Sequence, residues 1–143
     1  NPNNLEVLMF AGIGHLHCGS LEQAIAYSER ATHLSPVDPE AHIWLTTKAH
    51  ALVALGRFAE ALEWAERAHA ISPHNNFSRW MMIAANAHLG LTDVARQQLA
   101  ALQAIVPGVT VAGIRAGQPH KYPDRMALVL EGLRLAGMPE GAA

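Results

Sequence analysis

Cysteine is all but missing from this sequence: Cys18 stands alone in 143 residues. An internal disulfide framework is thereby excluded, and the usage fits a reducing compartment, so the cytoplasm is the expected location. Charge is scarce too. Asp, Glu, Lys and Arg make up 15% of the chain, the net charge is −2, and no block of Lys and Arg occurs. Without clustered cations to release counterions, direct nucleic-acid binding is not expected. No apolar run approaches the ~18 residues of a membrane span, and no secretory pattern is read at the start. Half of the residues are nevertheless apolar, which keeps most of the length from disorder. The length corresponds to about one domain.

Reactive motifs are missing as well. There is no GxSxG elbow and no phosphate loop of the GxxxxGK[ST] or GxGxxG kind. Nine histidines invite a metal reading, and His15, His17 and Cys18 form the densest cluster. On a helix His15 and Cys18 share a face while His17 points elsewhere, and no second ligand pair stands at a zinc-type spacing. No catalytic, cofactor or metal residue is therefore expected. A metal-dependent enzyme using the histidines remains the alternative of a different class.

What the chain does contain is a repeat. LHCGSLEQAIAYSERATHLSPVD, LVALGRFAEALEWAERAHAISPHNN and AHLGLTDVARQQLAALQAIVPG share one layout. Gly19, Gly56 and Gly90, then Ala24, Ala61 and Ala95, then Pro36, Pro73 and Pro107 are each separated by 37 and 34 residues. A period near 34 with two helices per unit is the signature of a helical solenoid. The first four residues, NPNN, look like the tail of a preceding unit, so a piece of a longer protein is inferred.

The punctuation predicts helices over 5–17 and 21–34. Gly19 is read as a left-handed cap ending the first, and Ser20 with Gln23 as a capping box opening the second. Gly12 and Gly14 each cost helix stability and suggest close helix contact. Asp38 and Pro39 open a third helix, expected almost one turn early, that continues to Leu55. Phe58–Ile71 is the fourth helix, with Glu63 and Arg67 paired. Phe77–Leu89 and Thr92–Val106 follow. A short helix over 110–116, a loop over 117–122 and a last helix from Pro123 to Gly137 complete the chain. Met126, Val129, Leu130 and Leu133 form the inward stripe of that last helix, while Leu128 and Leu135 lie off it, as a contact or as ordinary exposed leucines. Trp44, Trp64 and Trp80 are expected mainly in the core.

These residues resemble tetratricopeptide repeats, whose pattern is W-x2-L-G-x2-Y, then A-x3-F, then P. Leu8, Ala11, Gly12, His15, Gly19, Ala24, Ser28, Ala31 and Pro36 carry it in the first unit. Leu45, Ala49, Leu52, Gly56, Phe58, Ala61, Ala65, Ala68 and Pro73 carry it in the second, and Gly90, Asp93, Ala95, Leu99, Leu102 and Pro107 in the third. Arg79 and Ile83 depart from it. The resemblance implies an all-α right-handed superhelix of about three units (5–38, 39–75, 76–108) and a degenerate unit or cap (109–138). EGLRLAGMPE, residues 131–140, is similar to the tail of bacterial signalling proteins that place such repeats after a class III nucleotide cyclase or winged-helix domain.

By that resemblance the first helix of each pair lines a concave face, where a partner peptide or a neighbouring domain of the same chain binds. Met9, Ile13 and His17, Thr46, His50 and Val53, and Trp80, Ala84 and His88 would line it. Packing against a missing upstream unit or the cap is the alternative role for these residues. Met9 and Ile13 stand where a carboxylate-clamping Lys and Asn would be, so chaperone-tail ligands are not expected. The function implied is a protein–protein interaction scaffold; the alternative is homodimerisation through a stack end, most readily the uncapped N-terminal one.

Overall fold

A computed structural model describes residues 4–142. They form eight helices: α1 (Leu5–Cys18), α2 (Leu21–Leu34), α3 (Ala41–Ala54), α4 (Phe58–Ile71), α5 (Asn76–His88), α6 (Thr92–Ile105), α7 (Val111–Ala116) and α8 (Asp124–Leu135). No strand occurs among the described residues. The NPNN segment lies outside them except for Asn4, whose Oδ1 caps α1 by accepting the Glu6 and Val7 amides.

Helix ends follow the local chemistry closely. Ser20 Oγ accepts the Gln23 amide at the start of α2. At Gly56 and Gly90 the backbone turns left-handed, with φ of +78° and +80°. In both, the residue after the glycine donates back five positions, Arg57 to Leu52 and Leu91 to Asn86, which satisfies carbonyls the helix leaves free. Gly137 ends α8 the same way, with φ +103° and Met138 donating to Leu133. Gly19 departs from the expectation: its φ is −140°, not left-handed. There the Ser20 amide donates instead to His15 Nδ1 at 3.2 Å. A Cβ on Gly19 would stand 2.5 Å from that nitrogen, so the glycine is needed for room rather than for a positive φ.

The early start of the third helix is also corrected. Residues 38–40 form a turn, held by Asp38 Oδ1 accepting the Glu40 amide, and α3 begins at Ala41. Relative to α5, α3 starts one residue early rather than almost a turn, and the three residues by which the 37-residue spacing exceeds 34 do fall before His42, as expected. Two lengthen the α2–α3 connection relative to α4–α5, and one makes α3 longer than α5.

Connections of two or three residues force α1–α2, α3–α4 and α5–α6 into antiparallel pairs. Each second helix also packs on the first helix of the next pair, and α1, α3 and α5 lie side by side. Fully buried alanines, Ala24, Ala31, Ala49, Ala61, Ala65 and Ala68, let the axes approach. Caught between neighbours on every side, α3 buries all but a few of its residues and has almost no polar face. Of the two glycines of α1, Gly12 has room for a Cβ at ordinary contact distance from Ser28, and Gly14 faces open space. Neither is forced by close packing, contrary to expectation. Among the described residues no helix is long and apolar enough to cross a membrane.

Past α6 the pattern changes. Rather than continuing the stack, α8 crosses the first-helix layer and packs on α5 and α3. Its stripe of Met126, Val129, Leu130 and Leu133 is buried, Leu128 is half-buried, and Leu135 is exposed. The tail after it returns to α7, where the Pro139 and Glu140 carbonyls accept the Val111 and Ala112 amides. Glu140 also pairs with Arg134 at 2.7 Å and with Arg115 at 3.4 Å.

Candidate functional site

All nine expected contact residues belong to α1, α3 and α5, the layer of first helices. That layer is not open along its length. Over the C-terminal halves of these helices, α8 covers it. His50 Nε2 meets the Arg125 carbonyl at 2.9 Å, and His88 Nε2 meets the Leu128 carbonyl at 2.7 Å. A carbonyl only accepts, so both imidazoles carry their proton on Nε2. Gly132 sits directly on Ala84, where a Cβ would come within 2.6 Å of the Ala84 Cα. Arg125 reaches the end of α1 and donates to the Gly19 carbonyl at 2.6 Å and, at 3.5 Å, to that of Leu16. These are the carbonyls a helix C-terminus leaves free, and a cation there also opposes the helix dipole. His50, Ala84 and His88 therefore hold the chain's own last helix, and Val53 shares a buried cluster with its apolar stripe.

The rest of the face remains open as a cavity of about 260 Å³. Ile13, Leu16 and His17 of α1, Thr46 and His50 of α3, and Met81 of α5 form much of its wall, with Gln118 from the α7–α8 connection at the rim. Four of the nine expected residues thus come together around it. Met9 and Trp80 are half-buried and do not line it. Sequence reasoning missed Phe77, which is half exposed at the cavity edge with its ring 4.8 Å from that of Trp80. An aromatic in the first turn of α5, directly after the Asn75–Asn76 start, was the available signal.

No Asp, Glu, Lys or Arg lines this cavity. Its histidines are held neutral. Burial pushes the His50 imidazole down to about 4, and the neighbouring His17 and Arg125 add repulsion, against the Arg125 carbonyl, which favours the cation. His17, edge-on to His50 at 5.7 Å, is lowered by burial and then by Arg125. Thr46 and Thr47 donate their hydroxyl protons to carbonyls of their own helix, at 2.6 and 3.0 Å. An uncharged wall of this kind accommodates an apolar side chain and offers acceptor oxygens at its polar edge.

The HxHC cluster is dispersed by the fold. His15 stacks on Tyr27 at 5.5 Å, His17 turns to His50, and Cys18 is exposed. Among the described residues no three of His, Cys, Asp and Glu are grouped so as to hold a metal ion. Of the tryptophans, Trp44 is buried and Trp64 lies between Lys48 and Arg67, whose cations stand 3.5 and 4.5 Å from its ring. No protein-family model matches the chain, and no curated protein matches it significantly.

Proposed function

We propose that the chain is a tetratricopeptide-like interaction module, part of a larger bacterial signalling or regulatory protein, that binds a partner protein segment on its inner face. The observation that carries this reading is the cavity between Ile13, Thr46 and Met81, beside a stretch of the same face that already holds a helix. Docking α8 illustrates the mode: apolar anchors, one glycine at the crossing and a few polar groups fixing register. A partner segment would insert an uncharged apolar side chain into the remaining cavity, against Phe77 and Ile13. Anchors seated in a desolvated pocket dominate such interfaces. In this reading the segment makes no bond and catalyses no step; it positions one protein against another.

The test is affinity for a partner recovered with the intact chain. Ile13→Glu and Phe77→Ala should each weaken binding by about tenfold or more. Circular dichroism and the thermal midpoint should stay close to wild type, because both side chains reach the surface. A partner whose affinity moves with neither substitution binds elsewhere, and the inner-face reading then fails.

A further inference from the structure

His50 uses one ring nitrogen and leaves the other idle. The residue is only 5% exposed. Its Nε2 carries the proton and donates to the Arg125 carbonyl. The neutral ring therefore keeps a lone pair on Nδ1, which can only accept. Among the described residues nothing donates to that nitrogen. It is not sealed in either, unlike Nε1 of Trp44 and of Trp80, which are enclosed without a partner. Helices surround α3 on every side, so the solvent that reaches Nδ1 stands in the cavity whose wall His50 helps to form. An unsatisfied acceptor on a buried side chain is thus turned toward an apolar space.

The rest of that space restricts what can meet the acceptor. Ile13, Leu16, Ile43 and Met81 surround it, and Phe77 stands at its edge. A cavity of roughly 150 Å³ is enough for benzene, so about 260 Å³ has room for two fused rings. A carboxylate brings no donor for Nδ1. A Lys or Arg would stand near the Arg125 guanidinium, whose charge both His17 and His50 already feel. Phe fills the space but dries Nδ1 and leaves it unpaired, which is costly for a buried polar group. Tyr has one ring, and its hydroxyl oxygen would face apolar atoms. Indole has two rings, one N–H and no acceptor. We infer that the cavity takes the indole of a tryptophan in the partner segment, its N–H donating to His50 Nδ1 and its rings lying between Met81 and Phe77. A thioether at a ring edge is itself a favourable contact. The inference rests on the inner-face reading above and adds which side chain that face selects.

Two probes of the same shape separate the donor from the rings. N-acetyl-tryptophanamide carries the indole N–H; in the benzothienylalanine analogue sulfur replaces it. Both are titrated into the intact chain, and binding is followed by the ring-nitrogen NMR resonances of His50. The indole probe should bind and shift Nδ1. The sulfur analogue should bind about tenfold more weakly and leave Nδ1 nearly in place. Equal affinity for the two probes, or an indole probe that binds without moving Nδ1, overturns the inference. Free indole tests the source: if it binds and N-acetyl-tryptophanamide does not, the cavity takes a small molecule and not a side chain. The partner tells the two readings apart. Binding that is weakened by Ile13→Glu and Phe77→Ala, yet untouched by excess N-acetyl-tryptophanamide, keeps the inner face and removes the tryptophan. A partner indifferent to both substitutions removes the inner-face reading, and the source of the indole with it, even where the probe binds.

Discussion

A Cβ at Gly132 would stand 2.6 Å from the Ala84 Cα and 2.8 Å from the Ala84 carbonyl oxygen. Those atoms belong to the backbone of α5 and cannot rotate away. Gly132→Ala should therefore push α8 off α5 and cost about 1–3 kcal/mol, the usual range for overpacking. Gly12 is the contrasting case. Its Cβ would meet Ser28 Oγ at 3.6 Å and the Ala24 carbonyl at 3.7 Å, ordinary contacts. Gly12→Ala should stabilise by about 0.5–1 kcal/mol through helix propensity alone. Urea unfolding of the two variants checks both signs. Glycine inside a helix announces a cost but not the neighbour that justifies it. In the sequence Gly12 and Gly14 carry that signal as strongly as Gly132 does, and Ala84, the residue that decides between them, lies in another helix. The turn glycines Gly56 and Gly90 were legible because their reason is local.

The first six helices were legible to within two residues at either end, because periodicity and caps are properties of a helix by itself. For α8 the sequence left its place open between two roles of the first-helix residues, and one of them, packing against the cap, is what His50, Ala84 and His88 do. The apolar stripe of α8 requires a partner surface without saying which. A glycine amid that stripe, together with small Ala84 on the expected groove, was the signal available. The same docking makes a titration prediction. His50 donates to the Arg125 carbonyl of α8 and is buried, with its pKa lowered from an ordinary 6.5 to about 4. Between those values the unfolded chain binds the proton and the folded chain does not. Stability is thus fully present above pH 6.5 and falls as the pH drops toward 4, by about 2 kcal/mol at pH 5 for this one group. His17 is shifted the same way and steepens the loss. In His50→Gln an amide N–H can still donate to the Arg125 carbonyl, but nothing titrates. Urea midpoints for this variant should lose most of the wild-type slope between pH 7 and 5. An unchanged slope would assign the acid sensitivity to other groups.

Stacks of repeats that touch only their neighbours unfold from their ends, each pair with its own stability. Here α8 joins elements far apart in that order. It reaches the end of α1 through Arg125, α3 through His50, and α5 through His88 and Gly132. Its apolar side chains share one buried cluster with Ala49, Leu52 and Met81. A clasp of this kind makes loss of the first pair costly to the third, so the chain should behave as one cooperative unit. Trp44 and Trp64 report on the second pair and Trp80 on the third, while far-UV circular dichroism reports on all helices. In wild type the urea transitions seen by tryptophan fluorescence and by circular dichroism should coincide. Arg125→Ala removes the link to α1 while leaving the apolar stripe in place. That variant should separate hydrogen exchange in α1 and α2 from that in α3 and α5, with the first pair opening at lower free energy. Exchange that is already separated in wild type, and unmoved by Arg125→Ala, would mean that the pairs stand independently and that α8 covers the inner face without binding the stack together.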